Sequence, residues 1–265
     1  DQWPLRGERL KIAQELVLEQ LALGHIVPST SPWNTPIFVI PKKSGKWRLL
    51  QDLRVVNAVM SPMGALKPGL PNVTMIPDSC HLLIIDLKDC FFTIFLHSDD
   101  CCHFAFSVLL VNNDRSMQRY HWVELPQGMK NRPTICQFVG DSALRTIRDS
   151  FPTTLIHHYM DDILIAASSS EETQAVFMAM KPQLELYGLK IASEKVQTQP
   201  PWKYLGWKIH TQQVRPQPLR LAGNVKTLND LQRLFGSTNR IRPLLGITTE
   251  QLSPGFNFLK GDPDL

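Results

Sequence analysis

Two strand-like segments near the middle of the chain are joined by a turn that contains two adjacent acidic residues. The segments are residues 154–158 and 163–167, and the tetrapeptide Tyr-Met-Asp-Asp at 159–162 lies between them. Tight hairpin turns usually contain Asn-Gly or Asp-Gly, because the turn requires positive φ angles that glycine tolerates. This turn has no glycine and offers two carboxylates instead. It predicts an antiparallel hairpin whose tip is either an ordinary polar turn or a cation-binding site.

A further acidic residue, Asp86, ends another apolar segment. Residues 81–85 predict a buried strand, and the carboxylate follows it directly. If Asp86 lies beside Asp161, three carboxylates meet at strand ends and repel one another unless divalent cations neutralise them. Oxygen ligands of this kind select Mg²⁺ or Mn²⁺, and two such ions stabilise the attacking and the leaving oxygen of a phosphoryl transfer. The pattern therefore predicts a metal-dependent nucleotidyl transferase.

Helical and strand patterns alternate irregularly along the 265 residues. Residues 133–151 predict a helix, whereas 37–40 with 47–50 and 104–108 with 120–123 predict hairpins. This order favours an α+β fold over a doubly wound parallel sheet. Apolar residues make up 43% of the chain, which is enough for a sizeable core.

Charge and cysteine content restrict the partners and the compartment. The formal net charge is +4, and Lys42, Lys43, Lys46, Arg48 and Arg54 place much of the basic charge in one segment. That segment suits a nucleic-acid partner but also an ordinary solvated loop. The five cysteines show no CxxC spacing and predict reduced thiols in an intracellular protein of the cytoplasm or the virion interior. Neither a secretion signal nor an apolar run of about 18 residues is seen, so we expect no secretion and no membrane partner.

Five motifs occur in an order that resembles retroviral reverse transcriptases. They are KWRLLQDLRVVN at 46–57, DLKDCFF at 86–92, LPQG at 125–128, YMDD at 159–162 and YLGW at 204–207. The segments SPWNTPIFVIPKKSGKWRLLQDLR and GLPNVTMIP are most similar to betaretroviruses and to group K endogenous retroviruses. The resemblance covers essentially the whole chain. It implies an RNA-directed DNA polymerase that uses two Mg²⁺ ions, for which Mn²⁺ can substitute.

The resemblance also implies a right-hand polymerase with fingers, a palm of antiparallel sheet and helices, and a partial helical thumb. The implied boundaries are 1–61 and 94–131 for the fingers, 62–93 and 132–211 for the palm, and 212–265 for the thumb. The connection and RNase H regions are expected to be absent. The implied partners are RNA and DNA template–primers and deoxynucleoside triphosphates. A homodimer, or a heterodimer with Pol-derived subunits, is compatible with the family.

Individual residues receive roles from the same resemblance. It implies metal binding by Asp86, Leu87, Asp161 and Asp162, and catalysis by the three aspartates with Lys195. The implied nucleotide contacts are Lys42, Arg48, Asp89, Cys90, Phe91 and Gln127. The implied template or primer contacts are Arg54, Asn57, Gly128, Tyr159, Met160, Leu205, Gly206 and Trp207. Phe91 matches the aromatic gate that excludes a 2′-hydroxyl, and the alternative is an ordinary core phenylalanine. For Lys195, the alternative is an ordinary surface lysine.

Arg132 departs from the family pattern, which has serine before the proline. Because proline favours the first turn of a helix, Pro133 places residue 132 at the N-cap. Serine there accepts a hydrogen bond from a free backbone N–H, but arginine has no acceptor. We therefore expect Arg132 either to weaken the start of the helix or to bind a template phosphate.

Two other functions are compatible with these motifs. The chain could be an inactive polymerase-fold module that binds nucleic acid or a partner subunit. It could also be a fragment of a Pol polyprotein whose ribonuclease H activity resides in a downstream domain. Primer extension separates the first alternative from a polymerase, and cleavage of an RNA–DNA hybrid addresses the second.

Overall fold

The computed structural model shows a mixture of helices and antiparallel sheets. It describes residues 2–42, 45–64, 75–77, 80–88, 90–108, 117–211, 214–216, 225 and 227–259. All pairs of named strands found among these residues are antiparallel. This architecture agrees with the predicted α+β class.

Seven α-helices lie within the described residues. They are α1 (Gly7–Ala22), α2 (Arg54–Val59), α3 (Ser98–Cys101), α4 (Arg132–Ser150), α5 (Ser170–Leu186), α6 (Leu228–Leu245) and α7 (Thr249–Asn257). The helix α5 begins at a side-chain cap, because the Ser169 hydroxyl accepts the backbone N–H of Glu172. No helix in the described part of the chain has the length and apolar character needed to cross a bilayer.

Twelve strands form four sheets in the same part of the chain. They are β1 (Ile26–Pro28), β2 (Ile37–Pro41), β3 (Trp47–Gln51), β4 (His81–Lys88), β5 (Ala105–Val108), β6 (Gln118–Trp122), β7 (Leu155–Tyr159), β8 (Asp162–Ala167), β9 (Lys190–Ile191), β10 (Trp202–Tyr204), β11 (Trp207–Ile209) and β12 (Val214–Pro216). The strand orders are β7-β8-β4-β9, β1-β6-β5, β10-β11-β12 and β2-β3.

The four-stranded sheet β7-β8-β4-β9 is buried on both faces. Side chains alternate between the faces of a strand, so residues two apart point the same way. Leu83, Ile85 and Ile165 belong to the cluster that contains buried residues of α4 and α5. Ile84 and Leu164 belong instead to a cluster with the buried residues of β10 and β11. Two covered faces explain why β4 and β8 read as continuous apolar runs.

A separate apolar cluster joins α1 to the two N-terminal sheets. Ala13 and Val17 of α1 pack with buried residues of β2 and β3. Phe106 of β5 and Trp122 of β6 contribute aromatic rings to the same cluster. This cluster fixes the β2–β3 hairpin, which carries Arg48, relative to the rest of the N-terminal region.

The start of α4 differs from the prediction by one residue. Asn131 is the N-cap, and Arg132 is the first residue of the helix. The first N–H groups of a helix have no intrahelical partner, so Pro133 is accommodated at the second helical position as well as at the first. The expectation that Arg132 occupies the N-cap is therefore wrong, and so is the capping argument for a weakened helix start.

Candidate active site

Three aspartates come together at one end of the four-stranded sheet, although the sequence separates Asp86 widely from the other two. Asp86 of β4 pairs directly with Asp162 of β8. The backbone N–H of Leu87 donates to the carbonyl of Asp161 at 2.7 Å. Antiparallel pairing therefore fixes the backbones of all three residues. We call Asp86, Asp161 and Asp162 the acidic corner.

Negative charge is concentrated at this corner. Burial raises the pKa of Asp162 to about 6, and the charges of Asp161 and Asp86 act in the same direction. The ammonium of Lys195 donates to Asp86 Oδ1 at 2.7 Å. This bond with Asp86 raises the pKa of Lys195. The structure thus brings Lys195, which could have been an ordinary surface lysine, into contact with a predicted catalytic carboxylate.

Residues of α4 support the turn that carries Asp161. Met160 has a φ of 56°, an uncommon angle for a residue other than glycine. Its N–H donates to Gln137 Oε1 at 2.9 Å, and its carbonyl lies 2.6 Å from His158 Nε2. His158 is fully buried, and a Cβ at Gly140 would collide with its ring. Buried hydrogen bonds therefore hold the acidic turn in an otherwise costly conformation.

A cleft of about 510 Å³ opens beside the acidic corner. Its lining combines the corner with residues from β3, the segment after β4, the loop before α4 and α4 itself. They are Arg48, Leu50, Asp86, Leu87, Cys90, Phe91, Phe92, Gln127, Gly128, Arg132, Asp161 and Lys195. Most of the predicted nucleotide contacts therefore surround one space that also contains two of the three aspartates.

Two predicted nucleotide contacts stand apart from this set. Lys42 lines a neighbouring cavity of about 630 Å³, which shares Arg48, Phe92 and Gln127 with the cleft. Asp89 lies outside the described residues. Lys42 begins the turn of the β2–β3 hairpin, where its N–H donates to the carbonyl of Lys46.

The acidic corner offers carboxylate donors for a metal ion, and one of these carboxylates is paired with a lysine. Within the described residues, no group of three or more His, Cys, Asp or Glu side chains is arranged to hold a metal ion. The Asp86 carboxylate is engaged by Lys195, so its negative charge is already balanced. The donors nevertheless fit a hard divalent cation, because carboxylate oxygens meet at one strand end and burial opposes the ionised form of Asp162.

Sequence comparison identifies the family. The model described as "Reverse transcriptase (RNA-dependent DNA polymerase)" matches residues 40–209, and that of the "Reverse transcriptase thumb domain" matches residues 216–265. The chain belongs to the reverse transcriptase family. The predicted family of RNA-directed DNA polymerases is thereby confirmed.

Relatives of this reverse transcriptase chain are retroviral polyproteins. The "Gag-Pro-Pol polyprotein" of sheep pulmonary adenomatosis virus is 53% identical over 265 residues, which is 100% of this chain and 15% of the relative. That of squirrel monkey retrovirus is 53% identical over 265 residues, or 14% of its length. That of mouse mammary tumor virus is 51% identical over 263 residues, 99% of this chain and 15% of the relative. The chain spans only about 15% of these relatives, and the predicted resemblance to betaretroviruses is confirmed.

Two of the predicted template contacts, Arg54 and Asn57, form contacts within the chain itself. Arg54 forms an ion pair with Asp52 at 2.8 Å. Asn57 donates to the Gly128 carbonyl at 2.8 Å and accepts from the Lys130 N–H at 2.8 Å. Asn57 therefore joins α2 to the loop that carries Gln127 and Gly128, a contact that sequence reasoning missed.

The predicted primer contacts lie on the β10–β11 hairpin and on the acidic turn. Leu205 and Gly206 form the hairpin turn, with φ angles of 45° and 86°. Trp207 is 6% exposed and packs in the cluster beneath the four-stranded sheet. The Trp207 ring is therefore part of the core, and the turn at Leu205 and Gly206 is the more exposed part of YLGW. Tyr159 ends β7 and leads into the turn at Met160.

Proposed function

We propose that this chain catalyses RNA-directed DNA synthesis. It extends a primer 3′-hydroxyl with deoxynucleoside triphosphates on an RNA or DNA template and releases pyrophosphate. The observation that carries the proposal is the direct pairing of Asp86 with Asp162, with Asp161 bonded beside them, at the edge of a cleft that Arg48 and Gln127 also line. Positioning and charge neutralisation are the main requirements of phosphoryl transfer.

The acidic corner is the proposed site of two Mg²⁺ ions, for which Mn²⁺ can substitute. The carboxylates of Asp86, Asp161 and Asp162 and the backbone of Leu87 would hold them. Bound metal would neutralise charge on the attacking and leaving oxygens. In the absence of metal, Lys195 balances the negative charge of the Asp86 carboxylate. Its ammonium is also a proton source at the edge of the cleft, which supports its proposed role as the acid for departing pyrophosphate.

The opposite side of the cleft is proposed to receive the nucleotide. Arg48 projects from β3, and its planar guanidinium suits bidentate binding of phosphate. Lys42 from the adjoining cavity and the segment at Asp89 and Cys90 would complete the triphosphate contacts. Phe91 is proposed to exclude a 2′-hydroxyl, and Gln127 with Gly128 to contact the nucleotide beside the template.

The remaining assignments follow the family. We propose fingers at 1–61 and 94–131, palm at 62–93 and 132–211, and thumb at 212–265. Arg54, Asn57, Tyr159, Met160 and the turn at Leu205–Gly206 would meet the template–primer. The proposed location is the cytoplasm or the virion interior. Sedimentation of the purified chain would show whether it forms a homodimer.

Primer extension on a homopolymer RNA template tests the proposal. The chain is incubated with an annealed DNA primer and the matching deoxynucleotide, with Mg²⁺ or with EDTA. Extension only with the metal is the expected result. Template binding without extension in either condition would contradict the proposal and favour an inactive nucleic-acid-binding module. Cleavage of a labelled RNA–DNA hybrid, measured in parallel, tests the ribonuclease H alternative.

A further inference from the structure

Arg132 is a buried cation in the lining of the proposed nucleotide cleft. Its residue is only 8% exposed, and its Nε has no hydrogen-bond partner. Among the described residues, no carboxylate forms an ion pair with it. Burial lowers the pKa of Arg132 to about 10, so the guanidinium stays charged near neutral pH. A buried cation needs contacts that replace its hydration.

Aromatic rings supply such contacts. The guanidinium carbon of Arg132 lies 4.1 Å from the centre of the Phe91 ring and 5.1 Å from that of Phe92. Both distances are within the range of a cation–π interaction. We call Phe91, Phe92 and Arg132 the stacked wall. Phe91 and Arg132 both line the cleft that contains Asp86 and Asp161.

The two rings of the stacked wall are anchored differently. Phe92 stacks on His25 at 4.9 Å with an interplanar angle of 9°, and its ring centre is 5.9 Å from that of Trp122. These neighbours fix Phe92 from the N-terminal region. No other ring or cation is found against the Phe91 ring in the described part of the chain. Phe91 packs against the cluster that contains buried residues of α4 and α5, and within the described residues Arg132 is the cation that covers its ring.

We propose that Arg132 is a positioning residue that fixes the Phe91 ring and thereby sets how strongly the site excludes ribonucleotides. The inference rests on the proposed function, in which Phe91 meets the sugar of the nucleotide. A ring excludes a 2′-hydroxyl only while it cannot swing aside. Shortening Arg132 would remove the cation over the ring and leave empty space beside it, so the ring could tilt away from the sugar.

The test compares Arg132→Ala, Arg132→Met and Arg132→Lys with the wild-type chain. Arg145→Ala, an exposed arginine of the same helix, serves as the matched control. The main readout is the ratio of dGTP to GTP incorporation efficiency opposite one template base. The second readout is the ratio of their affinities for the complex with a chain-terminated primer–template in Ca²⁺, which needs no turnover. Denaturant midpoints show whether each variant is folded.

Arg132→Ala and Arg132→Met are expected to lower both ratios by about 3- to 30-fold, the range of a partly buried cation–π contact. Arg132→Lys should recover most of the selectivity, and Arg145→Ala should leave it unchanged. A purely structural role would weaken dGTP and GTP together, and an unchanged ratio in folded Arg132→Ala would overturn the inference.

The inference and the proposed function fail in different ways. A wild-type chain that prefers dGTP in binding but extends no primer contradicts only the proposed function. A wild-type chain that extends primers, with a ratio that Arg132→Ala does not change, contradicts only the inference. Equal binding of dGTP and GTP by the wild-type chain, without extension, contradicts both.

Discussion

The acidic corner and the stacked wall face the same cleft but are held in place by different forces. The corner is positioned by backbone pairing, since Asp86 lies opposite Asp162 in the sheet and the Leu87 N–H binds the Asp161 carbonyl. The wall is positioned by contacts between side chains, with the Arg132 guanidinium 4.1 Å from the Phe91 ring centre.

We expect this difference to separate effects on the catalytic rate from effects on nucleotide selectivity. A carboxylate in the acidic corner can be replaced by an amide without moving the strand that carries it. Such a substitution changes the charge of the site but not its shape. A side chain in the stacked wall supports its neighbours. Its substitution therefore changes the shape of the wall but leaves the acidic corner in place. Substitutions in the acidic corner should therefore lower the rate of incorporation of every nucleotide. Substitutions in the stacked wall should change the selectivity between deoxynucleotides and ribonucleotides.

Asp161→Asn should give the largest effect. Loss of one corner carboxylate is expected to reduce primer extension by ~10³-fold or more, comparable to losing a main charge-stabilising group. Template affinity should be nearly unchanged, because Lys and Arg contacts to phosphate remain. Extension rates and filter-binding affinities measure the two quantities. Parallel loss of binding and extension would point to a folding defect and would break the separation of the corner from the rest of the cleft.

Phe91→Val tests the wall in the same terms. Removing the ring should reduce selectivity against ribonucleotides by about 10- to 100-fold, since one missing steric contact has that order of effect. The rate with deoxynucleotides should change much less. The exposed Phe138 provides the control, because Phe138→Val removes an equal volume from the surface of α4. Equal selectivity against ribonucleotides in both variants would show that Phe91 only packs in the core.

Gly140→Ala should show that the corner depends on α4 as well as on strand pairing. The added methyl group would collide with the buried His158 ring, which is hydrogen-bonded to Met160. Overpacking of this kind costs about 1–3 kcal/mol of unfolding free energy, and extension should fall with it. Gly236→Ala in α6 meets open space and should instead be neutral or stabilising by up to about 1 kcal/mol. A Gly140→Ala chain as stable as the wild type would argue against this support.

The smallest effect is expected on stability, in Asp162→Asn, which should also lose primer extension because it removes a carboxylate of the acidic corner. The pKa of Asp162 is raised to about 6 in the folded chain, so its ionised form opposes folding as pH rises from about 4 through 6. The asparagine variant should be more stable than the wild type by about 1–2 kcal/mol at pH 8, and the gain should vanish near pH 4. Denaturant unfolding at the two pH values measures it. A similar gain in Asp149→Asn, which removes an exposed carboxylate, would show that the effect is not specific to the corner.

Much of the acidic corner could be predicted from sequence. Long apolar runs predict buried strands, and a two-residue acidic turn predicts a hairpin, so strand register alone brings Asp161 and Asp162 to one end. The pairing of Asp86 with this hairpin required the family resemblance, because no local pattern determines which strands are neighbours.

The stacked wall and the support beneath the turn could not be predicted in this way. Arg132 was expected at an N-cap, but the helix begins one residue earlier in the chain than that expectation required. Its burial depends on Phe91 and Phe92, which are distant in sequence. Gln137 gave a weak signal, as a polar residue on the apolar face of α4. Its hydrogen bond to Met160 depends on tertiary packing that the helical period does not specify.

Mn²⁺ binding tests the central claim most directly, because the claim is that the acidic corner holds divalent metal. Electron paramagnetic resonance would follow free Mn²⁺ during titration of the chain with a chain-terminated primer–template and matching deoxynucleotide. The wild-type chain should bind Mn²⁺ at least about tenfold more tightly than Asp161→Asn, and Asp149→Asn should match the wild type. Equal Mn²⁺ affinity in the wild-type and Asp161→Asn chains would contradict the account.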